Sequence, residues 1–260
     1  MKTLIATLSI ISTLTLLGHV AANGAGPQNR PTIVLVHGAF AESASWNGVI
    51  KNLEKRGFRA IAAANPLRGV VADAASVSTI VRSIRGPVIL VGHSYGGPVI
   101  TEAANNSSNV KALVYVAAFA PDKGESSLTL SGKFPGSTLG SALSTVPLQG
   151  GGQDLYIEPT KFHAQFAADL KVSEAALMAA TQRPVAQAAL VEESGEASWK
   201  RLPSYAIYGS EDRNIPAEVM KFMAERAKSK KTVVLQGASH ALMVSHPDKV
   251  AALIAEAASQ

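Results

Sequence analysis

The feature of the sequence that most restricts its fold is a regular alternation of short apolar runs with stretches of helical spacing. The apolar runs are rich in β-branched residues and cover Thr32–His37, Ala60–Ala64, Val88–Val91, Val110–Phe119, Tyr205–Tyr208 and Thr232–Leu235. Helix-compatible spacing separates most of them, at Trp46–Leu53, Ala72–Ile84, Val99–Ala104 and Ala217–Ala227, and recurs near the C-terminus at Lys249–Ala258. This order is typical of parallel strands joined by crossover helices. The sequence therefore predicts an α/β fold with a mostly parallel, doubly wound sheet and a functional site beyond the carboxyl ends of its strands.

The alternation stops between about Pro121 and Pro203. Glycine and serine cluster there, and two helical stretches, Phe162–Leu170 and Glu174–Ala180, are not followed by apolar runs. The apolar residues of this segment are too regular for a solvated linker, although a long disordered loop is the alternative. We therefore expect residues 23–260 to form one domain, with a small, mostly helical cap inserted at about residues 122–202.

The N-terminus has the pattern of a secretory signal peptide. Lys2 is followed by an apolar run from Leu4 to Leu17 and by small residues around Ala22. This run is too short to span a bilayer comfortably, so we expect residues 1–22 to be cleaved, with an uncleaved anchor as the alternative. The prediction is a secreted or periplasmic protein that does not associate with a membrane after cleavage.

Composition excludes several kinds of chemistry. The chain has no cysteine, which rules out disulfides, thiolate metal sites and cysteine nucleophiles. The net charge of +5 is scattered, and aromatic residues make up only 5% of the chain, so we expect no nucleic-acid partner. We interpret the short run at Lys228, Lys230 and Lys231 as a solvated helix end.

Gly92-His93-Ser94-Tyr95-Gly96 matches the pattern G-x-S-x-G between a predicted strand and a predicted helix. In that context the serine sits on a sharp turn that exposes its hydroxyl above the sheet, and small residues around it relieve collisions. We therefore predict that Ser94 is a nucleophile, the alternative being an ordinary turn.

A serine nucleophile needs a base, and the base needs an orienting carboxylate. His240 follows the last predicted strand and is our candidate base; the alternatives are His37, His93, His163 and His246. Asp212 follows the preceding strand and is our candidate acid, with Glu211 and Asp122 as competitors. Along the chain the three residues then follow in the order Ser, Asp, His. This is the order expected for a triad carried by the loops of such a sheet.

The attacked carbonyl oxygen becomes an anion that backbone N–H groups can stabilise. The residue after the nucleophile, Tyr95, supplies one N–H. We expect the second from Ala39, in the loop after the first strand, with Phe40 as the alternative.

Several segments together resemble one branch of the α/β-hydrolase superfamily, which contains plant methylesterases and hydroxynitrile lyases. The segments are Leu35–Phe40, Val91–Gly97, Val114–Asp122 and Ser239-His240. The resemblance implies the α/β-hydrolase fold and a cofactor-free esterase with a pocket under a small cap. It also implies Ser94, Asp212 and His240 as the triad and Ala39 and Tyr95 as the oxyanion donors.

Two positions separate the esterases of this branch from the lyases. The lyases have a threonine where this chain has Gly38 and a cyanide-holding lysine where it has Ala241. We therefore predict a serine hydrolase that acts on small carboxylic esters without a metal or organic cofactor. A non-catalytic small-molecule binding protein and a hydroxynitrile lyase are the alternatives.

Overall fold

The structure is a computed structural model that describes residues 30–260. The predicted signal peptide, residues 1–22, lies outside the described residues. The strands are β1 (Thr32–Val36), β2 (Ala60–Ala63), β3 (Val88–His93), β4 (Val110–Val116), β5 (Leu143–Pro147), β6 (Gln153–Ile157), β7 (Val185–Ala186), β8 (Ser204–Gly209) and β9 (Lys231–Leu235). The α-helices are α1 (Asn47–Lys55), α2 (Val70–Ser83), α3 (Gly96–Ala103), α4 (Ser127–Ser131), α5 (Pro159–Phe166), α6 (Val172–Thr181), α7 (Gln187–Val191), α8 (Ala217–Arg226), α9 (Leu242–Ser245) and α10 (Pro247–Ala257). Short 3₁₀ turns cover Ser43–Trp46, Ala104–Asn106, Leu139–Ala142 and Ser198–Lys200.

The centre of the molecule is a six-stranded sheet in the order β2-β1-β3-β4-β8-β9. All of its neighbouring strands pair in parallel. Every residue of β1 and β3 is buried, because helices cover both faces of the sheet and leave no solvated side for polar residues. The prediction of a parallel α/β sheet is confirmed.

The order of the strands determines where their loops meet. β1, β3 and β4 are neighbours, and Gly92 of β3 pairs with Val36 of β1 and with Tyr115 of β4. β8 and β9 continue the sheet on the far side of β4. Since all six strands run in one direction, the loops after β1, β3, β8 and β9 leave the sheet at the same edge.

The segment between β4 and β8 contains helices α4 to α7. Of these, α5 and α6 overlap the two helical stretches that the sequence predicted. It also contains a three-stranded antiparallel sheet, β5-β6-β7, which the sequence analysis did not predict. β5 is largely exposed and ends in Pro147, and β7 has only two residues. Strands this short have no clear period of their own, so their pairing with β6 is what defines them.

Within residues 30–260, no helix combines the length and the apolar character that crossing a bilayer requires.

Candidate active site

Ser94 lies in the sharp turn between β3 and α3. Its φ of +53° falls in the left-handed region, which residues other than glycine seldom adopt. The Ser94 N–H donates to the carbonyls of Val116 and Ala117 at 3.3 and 3.1 Å, and its carbonyl accepts from the N–H of Gly97 at 3.0 Å. A strained residue persists only where its surroundings determine its conformation, and here the end of β4 does so.

Three glycines allow this turn to pass close to its neighbours. A Cβ on Gly92 would lie 2.5 Å from the carbonyl oxygen of Gly96, and one on Gly96 would lie 2.5 Å from the carbonyl oxygen of Val36. A Cβ on Gly38 would lie 2.6 Å from the Cβ of Ser94. The glycines of the motif are therefore required by close backbone approach.

The loops after β8 and β9 bring Asp212 and His240 together. The Nδ1 atom of His240 lies 2.6 Å from the Oδ2 atom of Asp212, and both side chains are completely buried. The other carboxylate oxygen, Oδ1, accepts the backbone N–H groups of Asn214 and Ile215 at 2.8 and 2.9 Å. These contacts fix the carboxylate, which in turn favours the imidazole tautomer with its proton on Nδ1 and an acceptor at Nε2.

The Nε2 atom of His240 is buried and makes no hydrogen bond to any part of the chain that the structure describes. The structure therefore joins two of the three predicted triad residues and contains no hydrogen bond between Nε2 and the Ser94 hydroxyl. Such bonds commonly tighten only when substrate is bound. The ring of His93, the residue before Ser94, packs against the imidazole of His240 at a centroid distance of 4.7 Å, so the backbone that leads into the Ser94 turn passes close to His240.

His93 has a role that the sequence analysis did not foresee. Its Nε2 atom lies 3.0 Å from the carbonyl oxygen of His240, and its ring also contacts Trp46 and Phe166. Burial lowers the pKa of His93 well below its ordinary value, so the ring is neutral. Because a carbonyl can only accept, the neutral ring donates from Nε2 and holds the backbone of His240 in place.

The pocket above Ser94 has a volume of about 120 Å³. Apart from Ser94 it is lined by the two predicted oxyanion residues and by mostly apolar side chains, many of them from the segment between β4 and β8. These residues are Ala39, Phe40, Tyr95, Phe119, Ser127, Leu128, Ser131, Ser137, Leu139, Gly140, Leu143, Leu190, Asn214 and Ile215. None of the lining residues carries a charge, so the pocket favours a neutral, largely apolar ligand.

The backbone donors of the pocket differ in how they are used. The Phe40 N–H donates to the carbonyl of Arg183 at 2.9 Å, so it is already occupied. The N–H groups of Ala39 and Tyr95 donate to no acceptor within residues 30–260. This difference favours Ala39 over Phe40 as a donor to a bound oxygen.

The other candidates from the sequence have different partners. Asp122 pairs with the Nζ atom of Lys200 at 2.5 Å, and Glu211 is exposed. His163 contacts the carbonyl of Leu170, and His246 lies 3.5 Å from Asp169. His37 is held by Gly38 and Asn65, and burial lowers its pKa. Within the described residues, no group of three or more acidic or histidine side chains is arranged to bind a metal ion.

Known proteins resemble the chain, two of them over most of its length and one over a shorter part. An α-hydroxynitrile lyase of Arabidopsis thaliana is 24% identical over 86% of this chain and 95% of its own. A carbendazim-hydrolysing esterase of a Nocardioides species is 34% identical, over 37% of this chain and 46% of its own. Among solved structures, polyneuridine aldehyde esterase superposes with a TM-score of 0.75 at 20% identity and covers 88% of this chain and 99% of its own.

These matches agree with the resemblance found in the sequence motifs. The model of the alpha/beta hydrolase family matches residues 33–253, which include every strand of the central sheet except the first residue of β1. The chain therefore belongs to the alpha/beta hydrolase family.

Proposed function

We propose that this protein is a serine esterase that cleaves small carboxylic esters, with Ser94 as nucleophile, His240 as base and Asp212 as the acid that orients the base. The observation that carries the proposal is the buried 2.6 Å contact between His240 Nδ1 and Asp212 Oδ2, which leaves Nε2 without a hydrogen-bond partner among residues 30–260. His93, which precedes the strained residue Ser94, packs against the same imidazole. The esterases among the compared proteins support the same class of reaction.

The proposed reaction has two halves. In the first, Ser94 Oγ attacks the ester carbonyl carbon while His240 Nε2 takes the hydroxyl proton. The carbonyl oxygen becomes an anion that the N–H groups of Ala39 and Tyr95 stabilise, at about 2.7–4 kcal/mol for each donor. The C–O bond to the leaving alcohol then breaks, and the proton on Nε2 passes to the alcohol oxygen.

The second half returns the enzyme to its starting state. Water attacks the acyl-serine carbonyl and gives a proton to Nε2. The bond to Ser94 Oγ breaks, the proton passes to that oxygen, and the acid leaves. In both halves the Asp212 carboxylate offsets the positive charge that His240 gains, an interaction strengthened by the burial of both groups.

Ester cleavage fits the pocket better than cyanohydrin cleavage does, although a lyase is among the relatives. The sequence resemblance implies that lyases of this branch hold the released cyanide with a lysine directly after the histidine. The residue after His240 is the buried Ala241, and no lining residue of the pocket is charged. An apolar pocket with two N–H groups that have no acceptor among the described residues suits a neutral ester whose charge develops only during the reaction.

The test compares purified wild-type protein with Ser94→Ala and with Ser107→Ala. Ser107 is a matched control because it is also buried, lies before β4 at the opposite edge of the sheet, and has a hydroxyl with no hydrogen-bond partner within the described residues. We expect wild type and Ser107→Ala to hydrolyse p-nitrophenyl esters of short acids and to be labelled by a fluorophosphonate. Ser94→Ala should do neither.

The results also separate the alternatives. Hydrolysis by Ser94→Ala at the wild-type rate would refute the proposal. A wild-type protein that binds short esters but is not labelled and does not turn over would be a binding protein. Release of cyanide from mandelonitrile above the buffer rate, without ester hydrolysis, would identify a lyase.

A further inference from the structure

The side chain of Tyr95 ends on a buried acid outside the active site. Its hydroxyl donates to the Oδ2 atom of Asp73 at 2.9 Å. Tyr95 is 1% exposed and Asp73 is completely buried. The residue whose backbone N–H faces the proposed oxyanion is therefore also held at the far end of its side chain.

Asp73 is itself fixed by backbone donors. It lies in the first turn of α2, and the N–H of Arg68 lies 3.1 Å from each of its carboxylate oxygens, with the N–H of Gly69 at 3.4 Å from Oδ2. Burial raises the pKa of Asp73, while these donors and the Tyr95 hydroxyl act in the opposite direction. The positive end of the helix dipole also favours the carboxylate at this place. Asp73 is thus a well-positioned acceptor for the tyrosine.

The same loop extends the contact to the segment between β4 and β8. The Arg68 guanidinium donates to Asp154 of β6 at 2.7 Å and to the carbonyl of Pro184 at 3.0 Å. The carbonyl of Leu67 accepts the N–H of Ala186 in β7 at 3.0 Å. The small antiparallel sheet, the start of α2 and the Ser94 turn are therefore linked through one chain of hydrogen bonds.

We propose that Asp73 is a positioning residue that, through the hydroxyl of Tyr95, holds the Tyr95 backbone N–H in the oxyanion hole. This inference rests on the proposed function. The N–H and the side chain of Tyr95 share one Cα, so anchoring the ring restricts movement of that Cα and thereby of the N–H attached to it. The ring is enclosed by the core, and its hydroxyl is tied to Asp73. The hydrogen bond between Tyr95 and Asp73 therefore stabilises the turn in which Ser94 has a strained backbone conformation.

Filling the core does not by itself require a hydroxyl on Tyr95 bonded to the carboxylate of Asp73. A phenylalanine would fill the same space without placing a hydroxyl and a carboxylate away from water, which is costly unless both are paired. Buried acids with shifted pKa values are more common at functional sites than elsewhere. Tyr115 provides a comparison within the chain, because its buried hydroxyl bonds to Thr101 at 2.8 Å rather than to an acid. It reaches the Ser94 turn only indirectly, through the bond from Thr101 to the carbonyl of Gly97, and it makes no hydrogen bond with Asp73.

The test uses Tyr95→Phe and Asp73→Asn, with Tyr115→Phe as the matched control. Rates of p-nitrophenyl ester hydrolysis are expressed per active site. The concentration of active sites is measured by titration with a fluorophosphonate, so unfolded protein does not lower the calculated kcat. We expect both variants to lose about 10- to 100-fold in kcat with KM within about twofold, because a misplaced donor weakens only the transition state. The inhibition constant of a boronic acid, which forms a tetrahedral adduct on Ser94, should rise by a similar factor.

The contrary result is equally defined. If Tyr95→Phe and Asp73→Asn match Tyr115→Phe in kcat and in boronic acid affinity, the positioning role is wrong. If one variant does not fold, the other decides the question. Activity that survives Ser94→Ala would instead overturn the proposed function, so the two failures are distinguishable.

Discussion

Replacement of Asp212 by asparagine tests the arrangement of the proposed triad most directly. The Oδ1 atom of Asp212 accepts two backbone N–H groups, from Asn214 and Ile215, and Oδ2 faces Nδ1 of His240. An asparagine would keep its single oxygen toward the two N–H groups. Its NH₂ group would then replace Oδ2 and point at His240.

This change would reverse the tautomer of His240. To accept a hydrogen bond from the amide, the imidazole must carry its proton on Nε2, and the nitrogen that should receive the Ser94 proton is then occupied. The stabilisation of the imidazolium by a buried carboxylate disappears as well. We expect kcat to fall about 10⁴-fold, which corresponds to roughly 5.4 kcal/mol of barrier.

The assay is kcat/KM on p-nitrophenyl acetate, with thermal unfolding as a check of the fold. Asp122→Asn is the matched control, because Asp122 also follows a strand of the sheet but pairs with Lys200 at the surface. It should keep wild-type activity. The reasoning would be refuted if Asp212→Asn stayed within about tenfold of wild type, or if Asp122→Asn lost as much activity as Asp212→Asn.

Three further predictions concern stability and export. Gly97→Ala should destabilise the protein by at least about 1–3 kcal/mol in urea unfolding, because its Cβ would lie 1.9 Å from the carbonyl oxygen of Phe119. Gly132→Ala, whose Cβ would lie 3.7 Å from the carbonyl oxygen of Leu128, should change little, and equal urea midpoints for the two variants would contradict this. Burial lowers the pKa of His93 well below 6.5, so below pH 6.5 the unfolded chain binds more protons than the folded one. The free energy of unfolding should therefore fall by up to about 1.4 kcal/mol for each unit by which the pH is lowered from 6.5 toward the folded-state pKa, and His93→Gln should reduce this slope. We propose that residues 1–22 direct export, so N-terminal sequencing of protein expressed in a bacterium should find a chain that starts near Asn23 outside the cytoplasm, and a full-length cytoplasmic chain would be evidence against it.

The central sheet could be predicted from sequence because its signals are local. β-branched apolar runs bury both faces of a parallel strand, and the helices between them have their own period. The turn at Ser94 was equally readable, since the glycines on either side of it leave room that any side chain would fill. The positions of Asp212 and His240 after consecutive strands followed from the same pattern.

What only the tertiary structure decided depends on contacts between residues far apart in the chain. The 2.6 Å approach of His240 to Asp212, the bond from the Phe40 N–H to the carbonyl of Arg183, and the support of His240 by His93 all depend on contacts that strand order alone does not set. The antiparallel sheet was missed because β5 and β7 are stabilised by pairing with β6 rather than by a period of their own. Asp73 gave only a faint signal, an acid among the apolar residues that begin α2, and its bond to Tyr95 exists because α2 and α3 pack side by side. Periodicity reports the environment of each residue, whereas the partner that a buried polar group finds there is determined by the packing of the whole domain.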